Sequence, residues 1–120
     1  MIDTNRCPCS GRTLNRLLRP AIMTVLARES AHGYQLVQDL CRMRMFADQQ
    51  PDHTGVYRML RSMEEEGLLR SAWDLAESGP ARRMFALTDD GRTCLHEWQS
   101  TLRTYRDAIG EIMTLLERVD

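Results

Sequence analysis

The sequence predicts a mainly α-helical fold with a small β-hairpin. Three short helix-forming segments come first, two strand-like segments around a Gly-Pro turn follow, and a long heptad repeat ends the chain. Three helices and a two-stranded wing make a winged helix-turn-helix, here with a long C-terminal helix attached. We divide the 120 residues into an N-terminal segment (1–19), a winged helix-turn-helix (20–88) and a C-terminal helix (89–120).

The first two helices are predicted from proline placement and apolar spacing. Pro20 suits the first turn of a helix over "PAIMTVLARES", because a residue there needs no N–H. The second helix, "AHGYQLVQDLCRMRMF", carries an apolar stripe of helical period formed by Leu36, Val37, Leu40 and Met43. We expect His32 to cap this helix or to pack against it, because no partner groups for nucleophilic catalysis accompany it.

The third helix, "TGVYRMLRSMEEEG", has two faces, and Gly67 follows where a capping glycine is expected. Its apolar face has the spacing i, i+3, i+4 and i+7 and consists of Val56, Met59, Leu60 and Met63. Its polar face has the same spacing. In this fold the third helix enters the DNA major groove. We therefore predict four DNA-binding residues here: Thr54, Tyr57, Arg58 and Arg61.

The wing is predicted from "LLRSAWDLA" and "RRMFALT", two strands around the turn "ESGP". Strand alternation places Arg83 on the same face as Phe85 and Leu87, and Arg82 on the opposite face. We predict that both arginines belong to the DNA-binding surface. Arg82 is our first choice for a contact with phosphate or the minor groove, and Arg83 can brace the wing against an acid or the backbone.

The last helix carries the heptad repeat. Thr88 can cap it, and Asp89 and Asp90 favour its first turn because negative charge suits that end of the helix dipole. Steps of three and four residues join Leu95, Trp98, Leu102, Tyr105, Ile109, Ile112, Leu116 and Val119. This stripe is too long for so small a domain to cover, so we predict a homodimer interface. Trp98 and Tyr105 pack in that interface, line a pocket for a small hydrophobic effector, or do both.

Three motifs in one order carry a family resemblance: "HGYQLVQDL", "TGVYRMLRSMEEEGLLRSAWD" and "GPARRMFALTDDGR". Together they resemble the PadR family of bacterial transcriptional regulators. The N-terminal "CPCSG" resembles a subgroup in which some members are labelled polyhydroxybutyrate-responsive repressors. The chain departs from the family at Thr54-Gly55, where Gly-Thr is common.

The resemblance has consequences for assembly and regulation. It implies a dimeric winged-helix repressor whose C-terminal helix builds the dimer with help from N-terminal residues of the partner. It also implies a response to small aromatic or other hydrophobic compounds, including phenolic acids.

Composition leaves the partner open. The net charge is −1, although all 16 cations are arginine, so a winged helix that binds a protein partner is an alternative to one that binds DNA. We expect a cytoplasmic protein without a membrane partner, because no signal-peptide core and no apolar run long enough to span a bilayer is present. The sequence also lacks a Gly-rich phosphate loop, a paired-carboxylate motif and a metalloenzyme signature. It therefore predicts a non-enzyme without a cofactor.

The cysteines give a second alternative. Cys7 and Cys9 could make the protein a thiol- or metal-sensing regulator, although two soft ligands fall short of the four of a closed zinc site. Completing such a site would need Cys41, Cys94, His32 or His53. We expect Cys41 and Cys94 to be small core residues instead, because they lie in apolar helical contexts, and our main prediction is that the chain binds no metal.

Overall fold

The helices and strands follow the predicted order, with one additional short strand. A computed structural model describes residue 3, residues 6–75 and residues 79–119. The α-helices and strands in these ranges are α1 (Leu18–Arg28), β1 (Ala31–His32), α2 (Gly33–Cys41), α3 (His53–Glu65), β2 (Leu69–Asp74), β3 (Arg82–Leu87) and α4 (Asp89–Leu116). Short 3-10 turns cover Pro8–Ser10, Arg12–Leu17 and Arg44–Phe46.

The helix α1 begins two residues earlier than predicted, at Leu18, because the 3-10 turn Arg12–Leu17 leads into it without a break. Pro20 lies in its first turn, as predicted. Ile22 and Met23 are fully buried, so α1 is the central helix of the core.

The helix α2 is shorter than predicted. It ends at Cys41, and Met43 has an extended backbone that starts the 3-10 turn Arg44–Phe46. This turn brings Phe46 into the core, where it is 3% exposed. Burial of a large aromatic side chain therefore outweighs continuation of the helical pattern.

Both ends of α3 are fixed by local hydrogen bonds. The Asp52 carboxylate caps the helix by accepting the Gly55 N–H at 2.7 Å. At the other end Gly67 has a φ of +82°, and Leu68 donates its N–H to the Met63 carbonyl at 2.9 Å. This is the glycine-terminated arrangement expected at the end of a helix. The Thr54-Gly55 order suits the cap, because a Cβ at Gly55 would lie 2.8 Å from Asp52 Oδ1.

The sheet has three antiparallel strands in the order β1-β3-β2. Ala31 of β1 is opposite Phe85, and β2 pairs with β3 from Leu69 opposite Leu87 to Asp74 opposite Arg82. The predicted first strand of the wing is shortened, since β2 ends at Asp74. The predicted turn falls partly on residues 76–78, which lie outside the described residues.

The core lies between the first three helices and the sheet, with Phe85, Leu87 and Leu69 contributed by the strands. The helix α4 joins it at Gly91, which is buried where a Cβ would meet the Leu68 carbonyl oxygen. Thr88 caps α4 by accepting the Gly91 N–H at 3.0 Å, as predicted. A helix of 28 residues is about 42 Å long, so its second half extends past the core. None of the described helices is long and apolar enough to cross a membrane.

Candidate nucleic-acid interface

The polar face of α3 is exposed and its apolar face is buried. Val56, Leu60 and Met63 have no exposed surface, whereas the four predicted DNA-binding residues of the helix are exposed: Thr54, Tyr57, Arg58 and Arg61. Burial of one face fixes the rotation of the helix. The predicted residues therefore share one solvent-facing surface, which we call the α3 polar face.

Tyr57 also packs between helices. Its ring and hydroxyl lie against Gly33 at the start of α2, where a Cβ would collide with them. The side chain is 40% exposed, so it remains accessible while α2 limits its movement. Gly33 is thus needed for close approach to α3, a role that the sequence alone did not reveal.

An aromatic pair at the start of α3 was missed in the sequence. Tyr34 of α2 stacks on His53, with ring centroids 5.3 Å apart and planes 23° apart. Tyr34 is 59% exposed, so the pair extends the surface beside the α3 polar face. From its sequence position, His53 is expected only as a possible metal ligand. The pairing depends on the angle between two helices, for which no local sequence signal exists.

Arg83 braces the wing against α3. Its Nε donates to Ser71 Oγ at 2.7 Å, and this hydroxyl donates to Glu64 of α3 at 2.5 Å. The guanidinium lies 5.5 Å from the Trp73 ring centre and 3.9 Å from Glu64 Oε1. Arg82 is exposed on the opposite face of β3. The two arginines therefore have the separate environments that strand alternation predicts.

His32 connects β1 to the wing. Its Nε2 lies 2.9 Å from Asp74 Oδ2, and its side chain makes no capping bond to α2. His32 is thus the N-cap residue of α2 without a side-chain capping hydrogen bond, and its side chain packs toward the wing instead. The reason is that His32 belongs to a strand, which directs its ring toward the neighbouring hairpin.

Much of the acidic charge near α3 is paired. Glu66 accepts a hydrogen bond from Arg19 at 2.7 Å, and this bond lowers the pKa of the Glu66 carboxyl below its ordinary value. Glu64 accepts a hydrogen bond from Ser71 and forms an ion pair with Arg83. Of the four arginines predicted to bind DNA, only Arg83 is paired with an acid among the described residues. Within residues 6–75 and 79–119, no carboxylate forms an ion pair with the other three, Arg58, Arg61 and Arg82. Their charge is available to an anionic partner.

The sequence profile of the Transcriptional regulator PadR-like family matches residues 22–97. This range covers more than half of the chain, from α1 into α4. The chain belongs to the PadR-like family. Membership confirms the resemblance seen in the three motifs, and it agrees with the prediction of a non-enzyme because the family consists of transcriptional regulators.

One curated relative and two solved structures illustrate the likeness. The chain is 30% identical over 78 residues to a probable transcriptional regulator of Mycobacterium tuberculosis, a match that covers 65% of this chain and 41% of that protein. The chain thus spans about two fifths of that relative's length. A PadR-like regulator from Bacillus cereus superposes with a TM-score of 0.74 at 22% identity, covering 85% of this chain and 96% of the other.

The second solved structure is Bacillus subtilis PadR in complex with operator DNA. It superposes with a TM-score of 0.61 at 23% identity, covering 69% of this chain and 46% of PadR. At this identity the similarity shows that the two chains share the fold.

The apolar stripe of α4 divides into two parts in this PadR-like chain. Leu95 and Trp98 pack partly against the core, and Leu102 is half-buried. The remaining members are 48–69% exposed in the single chain, and they are Tyr105, Ile109, Ile112, Leu116 and Val119. The outer half of α4 therefore presents a continuous apolar surface to solvent.

A cavity of about 400 Å³ lies between α1 and α4. Its lining is Thr24, Ala27, Arg92, Leu95, His96, Gln99 and Leu102. Two stripe residues thus line it, but Trp98 and Tyr105, the predicted pocket residues, do not. Trp98 instead packs toward the core, and Tyr105 lies beyond the cavity on α4.

Two of the four cysteines pack against the core and two do not. Cys41 and Cys94 contact it as partly buried residues, which confirms their expected role. Cys9 lies exposed in the first 3-10 turn, Pro8–Ser10, and Cys7 is the residue that caps this turn. In the part of the chain that the structure describes, no three His, Cys, Asp or Glu side chains cluster closely enough to hold a metal ion.

Proposed function

We propose that this PadR-like regulator is a homodimeric, cytoplasmic repressor that binds operator DNA and is released by a small hydrophobic compound. The observation that supports DNA binding is the exposed α3 polar face, whose Arg58 and Arg61 form no ion pair among the described residues. The complex of Bacillus subtilis PadR with operator DNA supports the same use of the shared fold here.

The chemistry of the α3 polar face suits a major groove. A guanidinium donates two parallel hydrogen bonds to O6 and N7 of guanine, or binds a phosphate. Arg58 and Arg61 are one helical turn apart, so they can reach neighbouring positions along the groove. Thr54 and Tyr57 add hydroxyl groups at the helix start, where a recognition helix meets base edges and the backbone.

The wing supplies the second contact. Arg82 is exposed and unpaired among the described residues, so we propose that it binds phosphate or enters the minor groove. Arg83 is held by Ser71, Glu64 and Trp73. Its main role in this proposal is to fix the wing against α3, which sets the distance between the two DNA contacts.

The apolar stripe of α4 supports a homodimer. A monomer would leave Ile109, Ile112 and Leu116 in water, each with more than half of its surface exposed. Pairing two such stripes is the usual way to bury an a/d heptad pattern. The two heads would then address successive major grooves, about 34–36 Å apart, on a near-palindromic site.

The cavity between α1 and α4 supports an effector site. Its volume of about 400 Å³ is in the usual range for small-molecule pockets. Leu95 and Leu102 belong both to its lining and to the stripe, so a ligand there can alter how two α4 helices pack. In the proposed mechanism the effector binds more tightly to the dimer whose head spacing does not fit the operator, and this preference releases the DNA.

The DNA part is tested with sequences that the protein itself selects. Genomic fragments bound by the purified protein are sequenced, and the affinity for one selected site is measured at several salt concentrations. We expect Arg58→Ala or Arg61→Ala to cost about 1–3 kcal/mol, or about 5- to 150-fold in affinity, if the arginine reads a base. For a phosphate contact, the salt slope should fall by about one unit.

The matched control is Arg103→Ala, which removes an exposed arginine from the middle of α4, far along the helix from its N-terminal contact with the sheet. This variant should bind the selected site like the parent. If the Arg58 and Arg61 variants also bind like the parent, the α3 polar face is not the DNA-binding surface.

The effector part is tested by filling the cavity. Ala27→Leu adds three carbon atoms to its lining and should leave DNA affinity intact. A panel of phenolic acids is titrated into the protein–DNA complex. A compound that releases the parent but not Ala27→Leu supports the cavity as its site, and equal release of both proteins would exclude it.

A further inference from the structure

The N-terminal turn brings two thiols together. Cys7 caps the 3-10 turn Pro8–Ser10 by accepting the Cys9 N–H on its sulfur at 3.3 Å. Cys9 is exposed and Cys7 is partly exposed, and both are free thiols. Reagents in solution can therefore reach two sulfurs that lie within one turn of chain.

The surroundings of the turn hold it in place. Ser10 donates its hydroxyl hydrogen bond to the Cys7 carbonyl at 2.9 Å, and Arg12 donates to the carbonyl of Arg6 at 3.0 Å. Gly11 ends the turn with a φ of +91°, a conformation that favours glycine. These contacts thus fix the backbone of the turn that carries both sulfurs.

The two thiols are chemically unequal. The hydrogen bonds from Cys9 favour the Cys7 thiolate and lower the pKa of Cys7, whereas the interaction with Cys7 raises the pKa of Cys9. A thiolate is the form that attacks an oxidant, and a neighbouring thiol then resolves the product. The Cys9 N–H that donates to the Cys7 sulfur at 3.3 Å stabilises a thiolate on Cys7, which gives Cys7 the role of attacking sulfur and Cys9 the role of resolving sulfur.

We propose that Cys7 and Cys9 form a peroxide-reactive dithiol. The Cys7 thiolate attacks one oxygen of hydrogen peroxide, the O–O bond breaks, and sulfenic acid and hydroxide form. The Cys9 sulfur then attacks the Cys7 sulfur, the S–O bond breaks, and a disulfide and water form. In total two thiols and one peroxide give one disulfide and two waters.

The resulting bridge would be easy to reduce. It spans a single intervening residue, Pro8, so the closed ring is small and lies at the surface. Strained or exposed disulfides are the labile ones among protein disulfides. A cellular thiol reductant would therefore return the pair to the dithiol, which makes the reaction reversible.

Oxidation fits this pair better than metal binding does. A closed structural zinc site takes four ligands, and among the described residues no third His, Cys, Asp or Glu joins the two sulfurs. Cys41 and Cys94 are partly buried against the core, and among the described residues neither joins the pair in a cluster that could hold a metal ion. The inference is independent of the proposed DNA binding.

The test uses the full chain with Cys41→Ser and Cys94→Ser, so that only the dithiol can react, and circular dichroism checks that this protein folds. The wild-type chain is treated in parallel, in case the double variant does not fold. With equimolar hydrogen peroxide, intact-mass and peptide analysis should show loss of two hydrogens per chain and an intramolecular Cys7–Cys9 link. A thiol reductant should restore the starting mass.

Single variants assign the roles. Cys9→Ser should stop at a sulfenic acid on Cys7, which a carbon nucleophile traps, and Cys7→Ser should react several-fold more slowly than the parent. The inference would be overturned by bridges only between chains, by equal rates for both variants and the parent, or by a metal ion in the purified protein bound by both thiols. Preferential oxidation of Cys41 or Cys94 in the wild-type chain would do the same.

Discussion

The Ile112→Ala variant tests whether the apolar stripe of α4 is a dimer interface. Ile112 is 57% exposed in the single chain, so a second chain can still bury more than half of it. Complete burial of such a side chain is worth about 1.5–3 kcal/mol, which leaves about 0.9–1.7 kcal/mol per chain.

The change in the dimer follows from symmetry. Alanine keeps one of the four side-chain carbons, and a symmetric dimer loses the other three twice. We therefore expect a loss of about 1.3–2.6 kcal/mol of dimerisation free energy, which makes the dimer about 10- to 80-fold weaker. Alanine favours the helix more than isoleucine does, so a loss of helix cannot explain the weakening.

Sedimentation equilibrium over a dilution series measures the dimer dissociation constant. Glu111→Ala is the matched control, because it removes a similar side chain from an exposed position about 130° around α4 from the centre of the stripe. This control should dimerise like the parent. A monomeric parent, or equal dissociation constants for the parent and both variants, would refute the assignment of the stripe.

Three other variants test the fold around the interface. Gly91→Ala should lower the free energy of unfolding and the melting temperature, because its Cβ would meet the Leu68 carbonyl oxygen, which belongs to the backbone and cannot rotate away. Asp52→Ala should cost about 1 kcal/mol in chemical denaturation, because α3 loses its N-cap; a loss near zero would contradict that role. Glu66→Gln tests the pair with Arg19: the folded-state pKa of Glu66 is lowered from about 4.5, so the pair stabilises the fold above about pH 4.5 and this contribution disappears as the pH falls further. The difference in unfolding free energy between parent and Glu66→Gln should therefore shrink on acidification, and a constant difference would argue against the pair.

Periodicity predicted the features that one segment determines by itself. The buried side of α3 and the cap at Thr88 follow from spacing and residue type within a few turns of chain. The separation of Arg82 from Arg83 also follows, because alternate residues of a strand point to opposite faces. In each case the pattern within one segment allows only one orientation of the side chains concerned.

Features that join distant segments were not predictable in the same way. The strand β1 has only two residues, which is too short to show the alternating pattern of a strand. Its partner β3 lies more than fifty positions later in the chain. The contact of Tyr57 with Gly33 depends on how two helices cross. The end of α2 depends on Phe46, which reaches the core only because the chain turns there.

Net charge is a poor guide to the α3 polar face, because it counts acids such as Glu64 and Glu66 that are paired with arginines elsewhere in the fold. Glu64 and Glu66 lie at the C-terminal end of α3 and would repel an anionic partner if they were unpaired. In the fold both accept hydrogen bonds, one from Ser71 in the Arg83 brace and one from Arg19. Over the described residues the arginines of the α3 polar face and Arg82 have no such partners. A chain with a charge of −1 can thus present a cationic surface, and because fields decay over about 10 Å in 0.1 M salt, that local surface is what a phosphate backbone would meet.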